Sequence, residues 1–178
     1  MRCSAVLLAG GKSTRMGRDK AFLEYEGQPL WQRQLATLQK LSPEHLIISG
    51  PARGEWSDCE VVEDAVTNAG PLAGVAAALQ KCTTPLLVVL AVDLPRMTSE
   101  FLSSLLDLGG AVARGPHGFE PLAAVYPTAC TSLAVQALRS GDFSMQSFIH
   151  ESIKKGLLAA RETSQSDLFT NLNTPSDL

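Results

Sequence analysis

The chain has 178 residues, a formal net charge of −3 and a hydrophobic content of 45 %, with a sequence pI of about 5.6. This length favours one domain of ordinary size, and the apolar content excludes intrinsic disorder. The acidic balance excludes a global basic field for nucleic acid or anionic lipid, while leaving room for a few Lys and Arg gathered in a cleft.

In chain order, Cys3–Leu8 reads as a buried strand that runs into Ala9 and the pair Gly10-Gly11. That apolar run is too short for a signal-peptide core or a membrane span, and no other segment approaches ~20 uninterrupted apolar residues, so the expectation is a soluble cytoplasmic protein. Pro29–Leu41 reads as a helix, with Leu30, Gln34, Leu35 and Leu38 on related faces and Pro29 at a tolerated first position. His45–Ser49 is a second strand and Val61–Val62 a short third, while Pro51 to Cys59 carries no recognisable element. Pro71–Lys81 reads as a helix opening after Gly70, with Leu72, Val75, Ala76 and Leu79 along one side.

Leu86–Val92 is a continuous Val- and Leu-rich run, which suits a central strand buried on both faces. Thr98 reads as the N-cap of a helix bearing Phe101, Leu102, Leu105 and Leu106. Ala111–Arg114 and Leu122–Tyr126 are further strands, and Thr128–Arg139 and Ser144–Glu151 helices. Leu168–Leu172 is a last short strand, and Thr174-Pro175 opens a final helical turn. Strand–helix alternation without repeats or linkers predicts an α/β fold. Its three layers are a mostly parallel twisted sheet with helices on both faces, Rossmann-like in plan. Such sheets bind ligands at the carboxyl ends of their strands.

The cysteines Cys3, Cys59, Cys82 and Cys130 form no CxxC pair and read as free thiols, mostly in the core. His45, His117 and His150 show no HxxxH spacing. Chemistry is therefore sought just after the strands. From Leu8 to Lys20, Gly10, Gly11 and Gly17 permit close backbone approach to a ligand, and Lys12, Arg15, Arg18 and Lys20 supply positive charge. Exposed N–H groups and cations together suit a triphosphate. The spacing fits neither G-x-x-x-x-G-K-[ST] nor G-x-G-x-x-G, and a solvated basic turn is the competing reading.

Asp93 directly follows the central run and precedes Leu94-Pro95. A carboxylate at the end of a buried strand is costly unless it meets a cation or hydrogen bonds, and Mg²⁺ takes one or two carboxylates plus phosphate oxygens and water. The alternative is a turn aspartate that stabilises the loop before Thr98. Asn171 and Asn173 alternate, so on a strand both amides would face one way, toward phosphate or metal-bound water. A helix N-cap by Asn173 or Thr174 is the other reading.

The run Leu8-Ala9-Gly10-Gly11-Lys12-Ser13-Thr14-Arg15-Met16-Gly17-Arg18-Asp19-Lys20 resembles the signature of the molybdenum cofactor guanylyltransferases (MobA-type), within the glycosyltransferase-A-like nucleotidyltransferases. Asp64, the run Gly70-Pro71-Leu72-Ala73-Gly74, Asp93-Leu94-Pro95 and Asn171-Leu172-Asn173-Thr174-Pro175-Ser176-Asp177-Leu178 match further family elements in order. Glu120-Pro121 resembles a family strand entry that varies at its first residue. Glu120 therefore shapes a second-substrate pocket or is a solvated strand entry. Ser49 departs from the Asn that some members carry near guanine.

The resemblance implies a single nucleotidyltransferase domain over residues 1–178 that transfers GMP from GTP to the terminal phosphate of molybdopterin. Catalytic roles fall on Arg15, Lys20 and Asp93, with Mg²⁺ on Asp93. Leu8, Ala9, Gly10, Gly11, Lys20, Asp64, Gly74 and Asp93 bind nucleotide, and Asn171 and Asn173 bind phosphate or the second substrate. The implied partners are GTP, molybdopterin, molybdenum-insertion proteins and molybdoenzyme chaperones, with no nucleic acid or membrane. Cytidylyl transfer, nucleotidyl transfer to another phosphorylated acceptor, and a nucleotide-binding regulator without turnover are the alternatives.

Overall fold

A computed structural model describes residues 1–10, 19–56, 59–63 and 69–172. The first strand, β1 (Cys3–Leu8), is buried along its whole length. A 3-10 turn at Lys20–Phe22 leads into a small hairpin, β2 (Glu24–Tyr25) and β3 (Gln28–Pro29). Glu26 and Gly27 form its two-residue loop, both with positive φ (52° and 77°), the geometry whose twist matches paired strands. The polar run offers no alternation long enough to announce a hairpin, and Pro29 belongs to its second strand rather than to the helix.

Helix α1 (Leu30–Gln39) leads to β4 (His45–Ser49) and β5 (Glu60–Val62). Helix α2 (Pro71–Lys81) starts after Gly70, whose φ is 64°. Strand β6 (Leu86–Ala91) is entirely buried. Thr98 caps α3 (Ser99–Leu106) by accepting from the Phe101 N–H.

The second half differs more from expectation. Strand β7 (Ala111–Gly115) turns through Pro116-His117 into β8 (Gly118–Pro127), which begins four residues before the apolar run that marked it. The expected helix 128–139 divides into a 3-10 turn, Thr128–Cys130, and α4 (Thr131–Ser140). Helix α5 (Met145–Lys154) is capped by Ser144. Strand β9 (Ala159–Glu162) carries no apolar pattern because it is mostly exposed. The expected strand 168–172 is instead a 3-10 turn, Ser166–Phe169, followed by irregular chain. What resembles strand alternation there is a pair of anchors, Phe169 and Leu172, both buried. The expected turn at Thr174-Pro175 lies outside the described residues.

The seven-stranded sheet has the order β5-β4-β1-β6-β8-β7-β9. The first four strands pair in parallel. β8 runs against both β6 and β7, and β9 returns parallel to β7. Side chains alternate across the sheet. Ala5 and Leu7 pack with Leu30, Leu35 and Leu38 of α1 and Phe101 and Leu102 of α3 on one face. Val6 and Leu8 pack with α2, Ala134 of α4 and Phe148 of α5 on the other. These are the three layers that the alternation predicts. Cys3 and Cys130 are buried, whereas Cys59 and Cys82 are only half-buried. Among the described residues no helix is long and apolar enough to cross a membrane.

Candidate active site

The carboxyl ends of β1 and β6 lie side by side, in the register Leu8↔Ala91. Beyond them the Val92 N–H donates to the Leu8 carbonyl at 3.1 Å. The chain continues from β1 into Ala9 and Gly10, and from β6 into Asp93. These two exits flank the point where the parallel order reverses, since β4 and β5 lie on one side of β1 and β6 on the other. In open α/β sheets the crevice forms at such a point.

Glycine is required opposite the β1 exit, at Gly50 just after β4. The N–H groups of Ala9 and Gly10 both donate to the Ser49 carbonyl, at 2.8 and 2.9 Å. This draws Gly10 against Gly50 so closely that a Cβ on Gly50 would sit 3.0 Å from the Gly10 nitrogen. Those two donors are therefore committed to the fold. The Leu8 carbonyl already accepts from Val92, so what this exit can offer a ligand is the carbonyl oxygen of Ala9 and Gly10, while Gly11 and Gly17 of the expected N–H cradle lie outside the described residues.

Lys20 opens the 3-10 turn Lys20–Phe22, which Asp19 caps through a 3.1 Å bond from the Ala21 N–H. The Lys20 Nζ lies 3.2 Å from Asp93 Oδ2, with about a quarter of each side chain exposed. Two residues 73 positions apart thus share one half-buried site at the sheet's carboxyl edge. Asp19 also pairs with Arg53. The Arg53 guanidinium lies over the rings of Phe22 and Trp56, 5.4 and 5.8 Å from their centroids. Trp56 is fully buried and stacks on Phe22 at 6.0 Å. Arg53 and Trp56, from a stretch blank in the sequence, therefore brace the Lys20 turn.

The Asp93 loop is held from several sides. Its carbonyl accepts from the Leu172 N–H at 2.9 Å, which brings the C-terminal segment to the site. Asn171 is exposed beside that bond and belongs to no strand, so a shared strand face with Asn173 is not its basis. From α1, Gln34 Nε2 donates to the Leu94 carbonyl, and Arg33 Nε donates to the Pro95 carbonyl at 2.9 Å. Neither residue was singled out from the sequence. Gln34 stood in plain view on an apolar helix face, where a polar side chain must find a partner.

Gly74 lies buried in the first turn of α2. Gly11, Arg15, Asp64 and Asn173 lie outside the described residues. Glu120 enters β8 at the edge where β6 ends, because the two strands are antiparallel. Burial holds its carboxyl above the ordinary carboxylate range, opposed by His117.

No cluster of three or more His, Cys, Asp or Glu stands together among the described residues. A single half-buried carboxylate does not make a zinc site. It does fit a hard divalent cation that keeps its waters and takes its other ligands from phosphate oxygens.

A family model described as "MobA-like NTP transferase domain" matches residues 5–158. The chain is 37 % identical over 185 residues to a protein of Opitutus terrae named "Probable molybdenum cofactor guanylyltransferase", covering 98 % of this chain and 92 % of that one. It is 34 % identical over 184 residues to a molybdenum cofactor guanylyltransferase of Pseudomonas aeruginosa, covering 97 % and 91 %. Among solved structures, molybdopterin-guanine dinucleotide biosynthesis protein A from Archaeoglobus fulgidus superposes with a TM-score of 0.74 at 21 % identity, over 98 % of this chain and 94 % of that one. That last likeness concerns the fold. The matched span includes most of β1, the Lys20 turn, Asp93 and the other strands of the parallel half, and the chain belongs to the MobA-like NTP transferase family of nucleotidyltransferases.

Proposed function

We propose that the chain, acting as one domain over residues 1–178, transfers GMP from GTP to the terminal phosphate of molybdopterin and releases pyrophosphate. The observation that carries this reading is the Lys20–Asp93 pair, 3.2 Å apart at the carboxyl edge of the parallel strands. One cation for phosphate oxygens and one carboxylate for their metal ion stand where a nucleotide would lie. The names of relatives matched over nearly the whole chain supply the substrates.

In this reading an oxygen of the molybdopterin phosphate bonds to the α-phosphorus of GTP as the bond to the bridging oxygen breaks, and that oxygen leaves with pyrophosphate. The nucleophile is already an anion and needs no general base. Catalysis then consists of in-line positioning and charge neutralisation. Lys20, together with Arg15, neutralises charge on the α-phosphate and the leaving pyrophosphate. Asp93 would hold Mg²⁺, which would supply Lewis acidity to the triphosphate when bound. Carbonyls at Ala9 and Gly10 accept from the base and sugar beside Leu8, and Gly11, Asp64 and the α2 terminus near Gly74 complete the nucleotide side. Asn171, next to the Leu172 bond to Asp93, and Asn173 would bind phosphate or the second substrate. The partners are GTP and molybdopterin, with molybdenum-insertion proteins and molybdoenzyme chaperones next in the delivery of the product.

The test is pyrophosphate release with molybdopterin and GTP, CTP or ATP in turn. Release with GTP at a kcat/KM well above the other two is expected. Preference for CTP would move the reading to cytidylyl transfer, which the Ser49 departure makes the competitor to separate. Nucleotide binding without release would replace catalysis by regulation.

A further inference from the structure

Two consecutive residues of α1 reach the backbone around Asp93. Gln34 is fully buried. Its Nε2 donates to the Leu94 carbonyl and lies 3.4 Å from the Ala91 carbonyl. The amide orientation follows from chemistry, because both neighbours are carbonyl oxygens and can only accept. Arg33 Nε adds a bond to the Pro95 carbonyl. Carbonyls on both sides of Asp93 are thus held from one helix, while the Leu8 and Leu172 backbones hold Val92 and Asp93 themselves. With its backbone fixed this way, the Asp93 carboxylate keeps only its own side-chain rotations.

Packing alone does not call for an amide at position 34. The neighbours on that face are Leu30, Leu35 and Leu38, and a buried polar group is costly unless bonded. A leucine would fill the place. The amide's particular contribution is to hold the loop that presents Asp93. Arg33 extends the connection outward through an ion pair with Glu26 at 2.9 Å and a position over the Tyr25 ring, 5.1 Å from its centroid. The β2–β3 hairpin is therefore joined to the same loop.

The geometry points to Gln34, assisted by Arg33, as a positioning residue that sets the Asp93 carboxylate for the metal ion on the nucleotide. This rests on the reading of Asp93 given above. Groups that orient a metal ligand from behind typically govern roughly 10- to 100-fold in metal affinity or activity.

The experiment compares Gln34→Leu, Arg33→Met and Asp93→Asn in the full-length protein. In the first two, the half-saturating Mg²⁺ concentration should rise and kcat fall, together by roughly 10- to 100-fold, with the KM for GTP little changed. In metal-free protein, amide hydrogen exchange across 92–97 should be faster in Gln34→Leu than in wild type. A folded Gln34→Leu protein with wild-type kcat, Mg²⁺ requirement and exchange overturns the proposal, even if its melting temperature falls. Should Gln34→Leu not fold, Arg33→Met decides by the same measurements. Asp93→Asn separates the two layers. If it loses activity while the α1 variants keep theirs, only the positioning role fails. If it retains wild-type turnover, the metal reading of Asp93 falls and the positioning claim falls with it.

Discussion

The two halves of the sheet follow different rules. In β5-β4-β1-β6 every pairing is parallel, so the strand ends gather at one edge, and Gly10 and Asp93 leave the sheet there. In β8-β7-β9 one strand is reversed. Its connections therefore fall at both ends, and its polar groups go largely into bracing. The Tyr126 hydroxyl donates to the Pro121 carbonyl at 2.8 Å, and Gln146 Nε2 donates to the Phe119 carbonyl at 2.9 Å. The difference teaches where chemistry is to be sought: a parallel half concentrates strand ends, and a mixed half supports them. The C-terminal segment crosses back to the parallel edge, through Leu172 to Asp93.

The sharpest way to break this comparison is to remove the charges at the parallel edge. Asp93→Ala and Lys20→Ala should each lower kcat/KM by roughly 10²–10³-fold, the scale of one lost charge contact in a transition state. Thermal unfolding should stay cooperative. Because the two side chains touch, their double variant should lose less than the product of the single losses. Wild-type turnover for Asp93→Ala at saturating Mg²⁺ would remove chemistry from this edge altogether.

Next in size is the backbone contact that brings β1 and β4 together at the same edge. A Cβ on Gly50 would meet the Gly10 nitrogen at 3.0 Å and the Ala9 carbonyl carbon at 3.2 Å, with φ at 156°. Backbone cannot step aside as a flexible side chain can. Gly50→Ala should therefore cost about 1–3 kcal/mol of stability, read from urea unfolding. Unchanged stability would mean that the exits of β1 and β4 are not held by this contact.

Legibility in the sequence divides along the same line. The continuous run at Leu86–Val92 announces a strand buried on both faces, and that burial is why Asp93 stands out as a carboxylate in the wrong solvent. The limits His45–Ser49 and Pro71–Lys81 also coincide with the elements formed. In the mixed half, Ala159–Glu162 is exposed and carries no apolar pattern. Phe169 and Leu172 imitate a strand because each answers a separate partner: Phe169 meets the Phe101 ring edge-on at 5.4 Å, and Leu172 bonds to Asp93. At the site, residue types showed Lys20 and Asp93 but not their contact, which depends on a turn that Asp19 and Arg53 hold together. Gln34 carried a signal in its misplaced polarity, though its target was a tertiary matter.

A smaller effect separates support from chemistry. Tyr126 is fully buried and 5.5 Å from the Phe148 ring, and burial pushes its hydroxyl pKa far up. Tyr126→Phe removes the bond to Pro121 and should cost about 1 kcal/mol of stability, with kcat per folded molecule unchanged. A fall in kcat larger than the loss of folded protein would tie β8 to the chemistry.

The smallest effect lies where the halves meet. Burial raises the Glu120 carboxyl pKa above its unfolded value, against a weaker pull from His117. The folded state therefore holds this proton more firmly than the unfolded chain does, and binds more protons in the window between the two values. Stability must fall as pH rises through that window. Above it the ionised group is a fixed cost, and below the ordinary carboxylate range the cost is gone. Glu120→Gln should thus stabilise the protein near neutral pH, by no more than about 0.5 kcal/mol for a side chain only partly buried and still screened by water, and should do nothing in acid. Urea unfolding at the two pH values checks the sign, and a gain that persists in acid would assign the effect to packing. The same variant also tests the boundary: a raised KM for molybdopterin, with the KM for GTP unmoved, would place the β8 entry in the acceptor's pocket and carry the working edge across the seam.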